Sequence, residues 1–420
     1  MNKLITSIVL CASVAAIQLP VSFSADAAGL AAQEEKKKRK TYLPSPNTGK
    51  KAGKAFEAYS ADDIDGALAI LLEVDTSKTY DRAYIDRFIA VMYATKGNHE
   101  KDAIKYLKQA VEPDVLNEKD QAESLKLLGD LLMATKDYKG AIKNYYAWMD
   151  FTGETDANVW LKIANAQYTL KALDKVIGPA DNAIAAFGDK PNQNPYILKV
   201  TSYYERKMFK EAIDVLETAV QVFPEMKVFW VQLGQFYTLV EDYPKALATL
   251  DLAYKQGFLE KESEIKVLAS LFAQSDIPYK SAALLEKHIE AGDIKRDDKN
   301  LSAMANAWHA ALHINKAAGY YSELAKMTNK SEHYRKSGVL YKQDEQFKKA
   351  IVNLNKALEL GVKNEGRIYI TIAESHFYLE QFKQAYAAIK KAEKDPKSRK
   401  MARAWVSHIK DTADRKGKSI

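Results

Sequence analysis

Small and apolar residues recur along the chain at a nearly constant interval. In the clearest unit Tyr243 precedes Ala246 by three residues and Leu250 follows it by four, which is the spacing of one helical face. The small residues that mark successive units are Ala67, Ala103, Ala141, Val176, Ala212, Ala246, Ala282, Ala317, Ala350 and Ala385, at intervals of 33 to 38 residues. We therefore expect about ten repeated helix–turn–helix units.

The unit at residues 228–257 shows the repeat most fully and indicates its type. It fits the pattern W-x2-L-G-x2-Y followed by a small residue, which is the signature of the tetratricopeptide repeat (TPR). The matching residues are Trp230, Leu233, Gly234, Tyr237 and Ala246. The sequence thus predicts an all-α protein, a TPR-type α-solenoid of about ten repeats. Each short helix is marginal alone, so its apolar face must be buried against neighbouring units.

Two regions depart from the regular repeat. The fourth unit has Ala164 where glycine is expected, Val176 in place of alanine, and Pro179 inside its second helix, which predicts an irregularity there. Beyond Pro396 the spacing changes to that of a single closing helix. Its apolar stripe is formed by Ala402, Trp405, Val406 and Ile409 beside a highly charged face. Residues 394–420 are therefore predicted to be a C-terminal capping helix with a basic tail.

The N-terminus has the features of a secretory signal. A charged start at Lys3, an apolar stretch and an A-x-A site at residues 25–27 predict a signal peptide over residues 1–27 and a periplasmic mature protein. An uncleaved anchor and lipidation at Cys11 are the alternatives. Residues 28–54 have no periodic apolar pattern and are predicted to be a flexible basic tether. The TPR array then occupies residues 55–393.

The charge of the chain is concentrated at its two ends. The formal net charge is +7, with +6 in residues 28–54, +6 in residues 394–420, and −5 over the repeats. A body of this charge is not a nucleic-acid cradle, so no nucleic-acid partner is expected. Residues 36–54 are instead expected to reach an anionic membrane surface or acidic partner segments.

A groove lined by the first helix of each unit is the predicted functional surface. Polar and aromatic side chains at its repeated positions suit recognition of an extended peptide or a partner helix. The candidate partner-binding residues are Asn158, Asn165, Tyr168, Asn194, Thr201, Tyr204, Gln235, Asn306, His309, Arg335, Lys342, Arg367 and Glu374. No nucleophile and base can be paired, so we expect no catalytic activity and no cofactor.

One pair of histidines allows a different interpretation. His309 and His313 are four residues apart, a spacing that places two metal ligands on one helical face. No glutamate lies between them as in a zinc-protease motif, and no third ligand can be named. A metal-binding protein therefore remains the less favoured alternative, and no metal site is predicted.

Several stretches go beyond the general repeat and resemble one family. They are "YDRAYIDRF" (80–88), "YYAWMDFTGE" (145–154), "KALDKVIGPADNAI" (171–184), "NPYILKV" (194–200), "ALATLDLAYKQGFLEK" (246–261) and "DIPYKSA" (276–282). They resemble the exported TPR proteins that accompany a second type of TonB–ExbB–ExbD system in gammaproteobacteria. The resemblance implies a periplasmic accessory of energy-coupled outer-membrane uptake, for example of iron–siderophore complexes, with TonB-, ExbB- or ExbD-type partners. It implies no catalytic residue.

The residues alone leave a second function open. A periplasmic adaptor for peptidoglycan synthesis, pilus assembly or secretion would use the same kind of groove, because groove physics is shared among TPR proteins. The sequence therefore predicts an interaction scaffold, and only the resemblance selects TonB-linked uptake.

Overall fold

The computed structural model describes residues 39–420, and this part of the chain is all-α. It contains twenty-one α-helices, one 3₁₀ turn at Leu173–Val176, and no strand. The predicted signal peptide and residues 28–38 of the predicted tether lie outside the described residues. The described residues form two compact units, 39–131 and 132–420, with the division inside the fifth helix.

The helices follow one another as ten pairs and a closing helix, which confirms the predicted TPR-type α-solenoid. They are α1 Pro46–Ser60, α2 Ile64–Leu72, α3 Thr79–Lys96, α4 Glu100–Val111, α5 Glu118–Ala134, α6 Tyr138–Thr152, α7 Ala157–Thr169, α8 Ile177–Phe187, α9 Gln193–Glu205, α10 Phe209–Val222, α11 Lys227–Leu239, α12 Tyr243–Lys255, α13 Glu262–Gln274, α14 Pro278–Ala291, α15 Asp298–Ala310, α16 Ile314–Thr328, α17 Ser331–Gln343, α18 Phe347–Glu359, α19 Glu365–Tyr378, α20 Phe382–Glu393 and α21 Arg399–Arg415. In each pair the first helix has the odd number.

Every pair turns from its first to its second helix through one left-handed residue. These residues, all with φ between 57° and 65°, are Asp62, Asn98, Lys136, Lys171, Lys207, Glu241, Asp276, Leu312, Glu345 and Glu380. In nine of the ten pairs the amide of the residue after it closes the first helix in the usual manner of a left-handed cap, as when the Asp242 amide donates to the Tyr237 carbonyl at 2.9 Å. None of the ten is glycine, so glycine did not reveal these turns in the sequence.

The left-handed residue also fixes the register of the repeat. The small residue at the helix crossing lies five positions after it, as Ala246 does after Glu241. In the seventh pair the same count from Asp276 leads to Ser281, which is 2% exposed, and not to the predicted Ala282. Pro278, the first residue of α14, takes the place that an aromatic residue has elsewhere. The seventh pair therefore has the same spacing between its left-handed residue and its crossing as the other pairs.

A flexible tether was predicted over residues 28–54. This prediction is wrong for residues 39–54, the part of the tether that the structure describes. Residues 46–54 form most of α1, which begins with Pro46 and buries Thr48, Ala52 and Ala55. Proline is well suited to the first turn of a helix because its missing amide hydrogen has no partner there. The repeats therefore begin at residue 46, before the predicted start at residue 55.

The segment before α1 is fastened to α3 and to the turn before α5. The amide and hydroxyl of Ser45 and the hydroxyl of Thr48 donate to the carboxylate of Asp81, which is 2% exposed. Burial opposes ionisation of Asp81, but these hydrogen bonds outweigh it and lower its pKa. At the N-terminal end of the segment, the guanidinium of Arg39 donates to the Asp114 carbonyl at 3.0 Å. Residues 39–45 are thus a bound strap and not a flexible tether.

In residues 132–420 consecutive helices pack around continuous apolar clusters. One cluster extends from Tyr196 to Ala350 and a second from Leu354 to Ala413. The fourth pair is irregular where Pro179 predicts it, because its second helix opens with the 3₁₀ turn before α8. The hydroxyl of Ser202 on α9 donates to the carbonyl of Leu173 in that turn at 2.6 Å.

The closing helix α21 packs on α20 and α19 through the predicted apolar stripe. Ala402 and Ile409 are fully buried, and Trp405 and Val406 are half-buried against the same cluster. The opposite side of α21 is charged and faces solvent, as a cap requires. Among residues 39–420 no helix combines the length and hydropathy needed to cross a bilayer.

Candidate interaction surface

The first helices of residues 157–378 form a connected face. We call the exposed side chains of α7, α9, α11, α13, α15, α17 and α19 the first-helix face. The helix α7 packs on α9, and α17 packs on α19. Between α13 and α15 the side-chain amide of Asn300 donates to the Glu262 carboxylate at 3.2 Å. These direct links join three of the six successive pairs of first helices and hold them in fixed positions, as a binding surface needs.

Asparagine and threonine side chains lie on the part of the face formed by α7 and α9. Asn158 and Asn194 lie in first turns, where their backbone amides bond to the capping side chains of Asp156 and Asn192. Their side chains and that of Asn165 are exposed. Thr201 donates its hydroxyl to the carbonyl of Ile197 at 2.7 Å, so it is already satisfied within α9. Three of these four predicted residues can thus offer their polar groups to a partner.

Tyr168 holds α7 and α9 together. Its hydroxyl donates to Glu205 at 2.6 Å, and the Lys171 ammonium lies 3.1 Å from the same carboxylate. The hydrogen bond lowers the pKa of Glu205 and raises that of Tyr168. Sequence reasoning missed Glu205, which has no place in the groove pattern. Because Tyr168 has this partner, the structure gives it a role in helix packing as well as a place on the face.

Tyr204 and Gln235 are exposed on the neighbouring part of the face, and no hydrogen bond engages their side chains among the described residues. Tyr204 is 53% exposed, with one edge of its ring against Phe236 at a centroid distance of 5.7 Å. Gln235 on α11 is exposed and makes no side-chain hydrogen bond with the described residues. Exposed apolar side chains lie on the same helices, at Ile197, Val228 and Leu239. An aromatic ring, amides and apolar groups together are the composition of a peptide-binding surface.

A pocket of about 360 Å³ opens between α13 and α15, with α14 beneath it. Its walls carry the small residues Ala273, Ala303 and Ala310, and its floor is formed by Ser281 and Leu285. Small side chains leave room for a partner's side chain to enter. Of its lining residues the sequence predicted only Asn306, because alanine carries no chemical signal and because the register of the seventh pair was one residue out.

Asn306 and His309 both lie on α15, but they differ in freedom. Asn306 borders the pocket and accepts a hydrogen bond from the hydroxyl of Tyr321. His309 is exposed. The helix ends at Ala310, so His313 is not on the same helical face as His309. His313 instead packs on Trp308 and Tyr279, at ring distances of 5.0 and 5.3 Å.

The less favoured interpretation, a metal site at His309 and His313, therefore loses the helical spacing on which it depended. Because Leu312 is left-handed, the chain turns between the two histidines and their helical spacing is lost. In residues 39–420 no three His, Cys, Asp or Glu side chains are grouped so as to hold a metal ion.

The far part of the face, on α17 and α19, is charged. Lys342 and Glu374, both predicted, form an ion pair at 2.6 Å that joins the two helices. Arg335 is paired with Glu332 one turn earlier at 2.8 Å, which raises the pKa of Arg335 and lowers that of Glu332. Arg367 is exposed. Of the four predicted residues, three are ion-paired and Arg367 offers its side chain most freely.

Comparison with known proteins assigns the chain to no family. No family model matches the chain, and no curated protein matches it in sequence. Among solved structures, MamA from Desulfovibrio magneticus RS-1 is 18% identical over 43% of this chain and 97% of its own, with a TM-score of 0.33. The Naa15/Naa10 complex bound to HypK-THB matches at 14% identity over 86% and 66%, with a TM-score of 0.46. A tetratricopeptide repeat protein from Parabacteroides merdae matches at 13% identity over 69% and 98%, with a TM-score of 0.29.

Proposed function

We propose that this protein is an exported scaffold that binds protein partners along its first-helix face. The observation that supports this most directly is the exposed group around Tyr204 and Gln235, on helices that are themselves fixed by side-chain links. A tyrosine held by its neighbours loses little conformational freedom on binding, and amides adapt to the hydrogen bonds of a peptide backbone. The α13–α15 pocket extends the same surface.

The partners that we propose are components of a TonB–ExbB–ExbD-type system in the periplasm, in energy-coupled uptake across the outer membrane. The support is the resemblance of residues 80–88, 145–154 and 171–184 to the exported TPR proteins of such systems, together with the signal-like N-terminus. The structure adds a first-helix face that extends over seven helices of residues 157–378, which suits a protein that connects other proteins.

Site-specific photo-crosslinking in the native host tests both parts of the proposal. A photo-reactive residue at Gln235 is expected to capture partner proteins, with ExbB-, ExbD- or TonB-type proteins among them. The matched control is Gln221, an exposed glutamine on the second helix α10. Equal capture at both positions would contradict the first-helix face. Capture at Gln235 of cell-wall or secretion proteins alone would support the scaffold and overturn the TonB-linked role.

Export is tested separately. Fractionation of the native host is expected to place the protein in the periplasm, with a mature N-terminus near residue 28. Recovery in the cytoplasm with residue 1 retained would contradict the proposal.

A further inference from the structure

A second kind of pocket occurs twice on the opposite side of residues 132–420, where second helices meet. One, the α16–α18 pocket, has a volume of about 650 Å³. The other, the α8–α10 pocket, has about 370 Å³. Each lies between two successive second helices, with the intervening first helix behind. Neither contains a predicted residue of the first-helix face, so a role for these pockets does not depend on the proposed function.

The two pockets share their walls. In the α16–α18 pocket Tyr334 and Tyr341 of α17 stand eleven and four residues before the left-handed residue of the turn. In the α8–α10 pocket Tyr196 and Tyr203 of α9 stand at the same two positions. Counting from the left-handed residue in this way matches each position of α9/α10 with one of α17/α18. Residues that differ at matched positions therefore show how the two pockets differ.

The rims of the two pockets carry opposite charges. The α8–α10 rim has three acidic residues and one lysine, and that lysine, Lys199, is paired with Asp181 at 2.5 Å. The α16–α18 rim has four lysines and one glutamate. These are Lys326, Lys348, Lys349, Lys356 and Glu359. At one matched position the charge is reversed outright, with Glu211 in α10 and Lys349 in α18.

Three of the four lysines on the α16–α18 rim form no ion pair with any of residues 39–420. Only Lys356 is ion-paired, with Glu359 at 2.9 Å. Lys349 lies 5.3 Å from the centre of the Tyr341 ring, which orients its ammonium without neutralising it. Within residues 39–420 neither Lys326 nor Lys348 makes an ion pair. A concentration of unneutralised positive charge beside low-dielectric walls attracts anions.

The position of two lysines in the helix strengthens this conclusion. Lys348 and Lys349 lie in the first turn of α18, which contains no acidic residue and whose capping residue Gln346 makes no side-chain hydrogen bond to it. Positive charge is unfavourable there because the helix dipole and the free amides are already positive. In α10 the matched turn carries Glu211, as helix stability favours. A bound carboxylate would relieve the repulsion in α18.

The floor of the α16–α18 pocket is polar where that of its counterpart is apolar. Asn353 lies at the position that Val215 has in α10, and it is buried. Its side-chain amide donates to the Lys349 carbonyl at 2.9 Å, and its oxygen lies 3.4 Å from the Ser322 hydroxyl. Beside it Val352 is 68% exposed and offers an apolar contact at the rim.

We propose that the α16–α18 pocket binds an acidic segment of a partner protein. Carboxylates of the segment pair with Lys348, Lys349 and Lys326, and its aliphatic parts contact Val352 and the tyrosine walls. Several lysines on two helices, combined with an apolar rim, fit a chain that presents carboxylates at intervals better than they fit one small anion.

The test is binding of a fluorescein-labelled glutamate-rich peptide containing two leucines to the full chain, followed by fluorescence anisotropy. The Lys348→Glu/Lys349→Glu variant is expected to weaken binding by about tenfold or more, because attraction becomes repulsion at the rim. Glutamate is favoured in a first helical turn, so this variant retains the fold. The control is Lys210→Glu, which makes the same change as Lys348→Glu at the same repeat position in the first turn of α10.

Loss of binding in the α16–α18 variant, with affinity unchanged in Lys210→Glu, supports the proposal. Equal affinity in both variants and the unaltered chain overturns it, as does equally tight binding of the matching lysine-rich peptide. Two further probes distinguish other anions. Displacement of the peptide by millimolar inorganic phosphate would make the pocket a small-anion site. Binding of phosphatidylglycerol vesicles through the same lysines, without binding of the peptide, would make it a membrane contact.

Discussion

The α11/α12 and α7/α8 pairs solve the same packing problem with different residues. In α11/α12 the first helix has Gly234 where the second helix presents Leu250, and a Cβ on Gly234 would lie 2.4 Å from the Leu250 side chain. In α7/α8 the corresponding residues are Ala164 and Ala180, both fully buried in one cluster with Val176. One crossing pairs the smallest residue with a large one, and the other pairs two small ones.

The repeat therefore preserves the space at the crossing more strictly than the residues that fill it. A third pair, α17/α18, returns to the first solution, with Gly338 against Leu354 at 2.5 Å for an added Cβ. Protein interiors are packed closely enough that one methyl group is felt at such a position. The glycine of the motif is therefore tied to the leucine across from it, and the two should be changed together.

The largest effect is expected from removing the large partner. Leu250→Ala should lower the free energy of local unfolding of α11 and α12 by about 3 kcal/mol, since it deletes buried methyl groups and leaves a cavity beside Gly234. Native-state hydrogen exchange of the amides in these two helices measures this directly. Leu252→Ala is the control in the same helix, because Leu252 is 43% exposed, and it should cost below about 1 kcal/mol. Equal losses from both would contradict the tight crossing.

A sign reversal is expected at Gly234 itself. Gly234→Ala alone should destabilise the pair by about 1–2 kcal/mol, because the cost of overpacking exceeds the gain in helix propensity. In the Leu250→Ala background the same change should stabilise by about 1 kcal/mol, since the added methyl fills space and alanine favours the helix. The double variant reproduces the Ala164 and Ala180 arrangement of α7/α8.

Gly53→Ala supplies the reference for helix propensity. Gly53 lies in the exposed middle of α1, where an added Cβ meets nothing within 4 Å. The change should stabilise α1 by up to about 1 kcal/mol. If Gly234→Ala also stabilised the unaltered chain, the contact with Leu250 would not be restrictive and the comparison of the two crossings would fail.

The sequence predicted the architecture well because the crossing repeats. Nine of the ten predicted small residues lie at the crossing. The error at Ala282 arose because Tyr279 lies three residues before it, the spacing that an aromatic residue has in other pairs, whereas the residue at that position is Pro278. Residues 46–54 were taken for a tether because lysines and two glycines hide the short apolar face of α1. Their helix is stabilised by hydrogen bonds to Asp81, which lies about thirty-six residues away from Ser45 in the chain.

The candidate surface was harder to predict than the fold. Repeat positions placed the predicted residues on first helices, but they could not show which side chains already have partners. Tyr168 is engaged by Glu205, and Lys342 by Glu374, through contacts between repeats. Such pairs depend on long side chains meeting across two helices, and nothing in a single repeat specifies them. For the same reason, the repeat positions could not show that the side chains of Tyr204 and Gln235 have no hydrogen-bond partner among the described residues.

A smaller, pH-dependent effect is expected where α10, α11 and α12 meet. Glu217 accepts a hydrogen bond from Tyr237 and lies 3.3 Å from the Lys245 ammonium, and these contacts, the first above all, lower its pKa. A lowered folded-state pKa stabilises the fold above the ordinary glutamate pKa, about 4.3, and the stabilisation is lost as the pH falls through the folded value. The amount should be below about 1 kcal/mol because Glu217 is partly exposed.

Replacing the hydrogen-bond donor tests this contact. Tyr237→Phe should flatten the dependence of stability on pH between about 5 and 3, because the pKa of Glu217 then returns toward its ordinary value. Urea unfolding followed at several pH values measures the slope. Tyr243→Phe, which removes an exposed hydroxyl at the start of α12, should leave the profile unchanged. A profile as steep in Tyr237→Phe as in the unaltered chain would show that the hydrogen bond has no effect on Glu217.

The smallest effect is expected at the turns, which the two pairs share. Glu241 in α11/α12 and Lys171 in α7/α8 are both left-handed, with φ of 62° and 58°. Glycine adopts this conformation without the steric cost of a Cβ. Glu241→Gly should therefore raise the free energy of unfolding by about 0.5 kcal/mol, which is seen as a slightly higher thermal midpoint. Lys171→Gly should give no such gain, because it also removes the contacts of Lys171 with Glu205 and with the Tyr168 ring, 5.0 Å away. Equal gains at both turns would mean that those contacts add nothing to the α7/α8 pair, so that it differs from α11/α12 at the crossing alone.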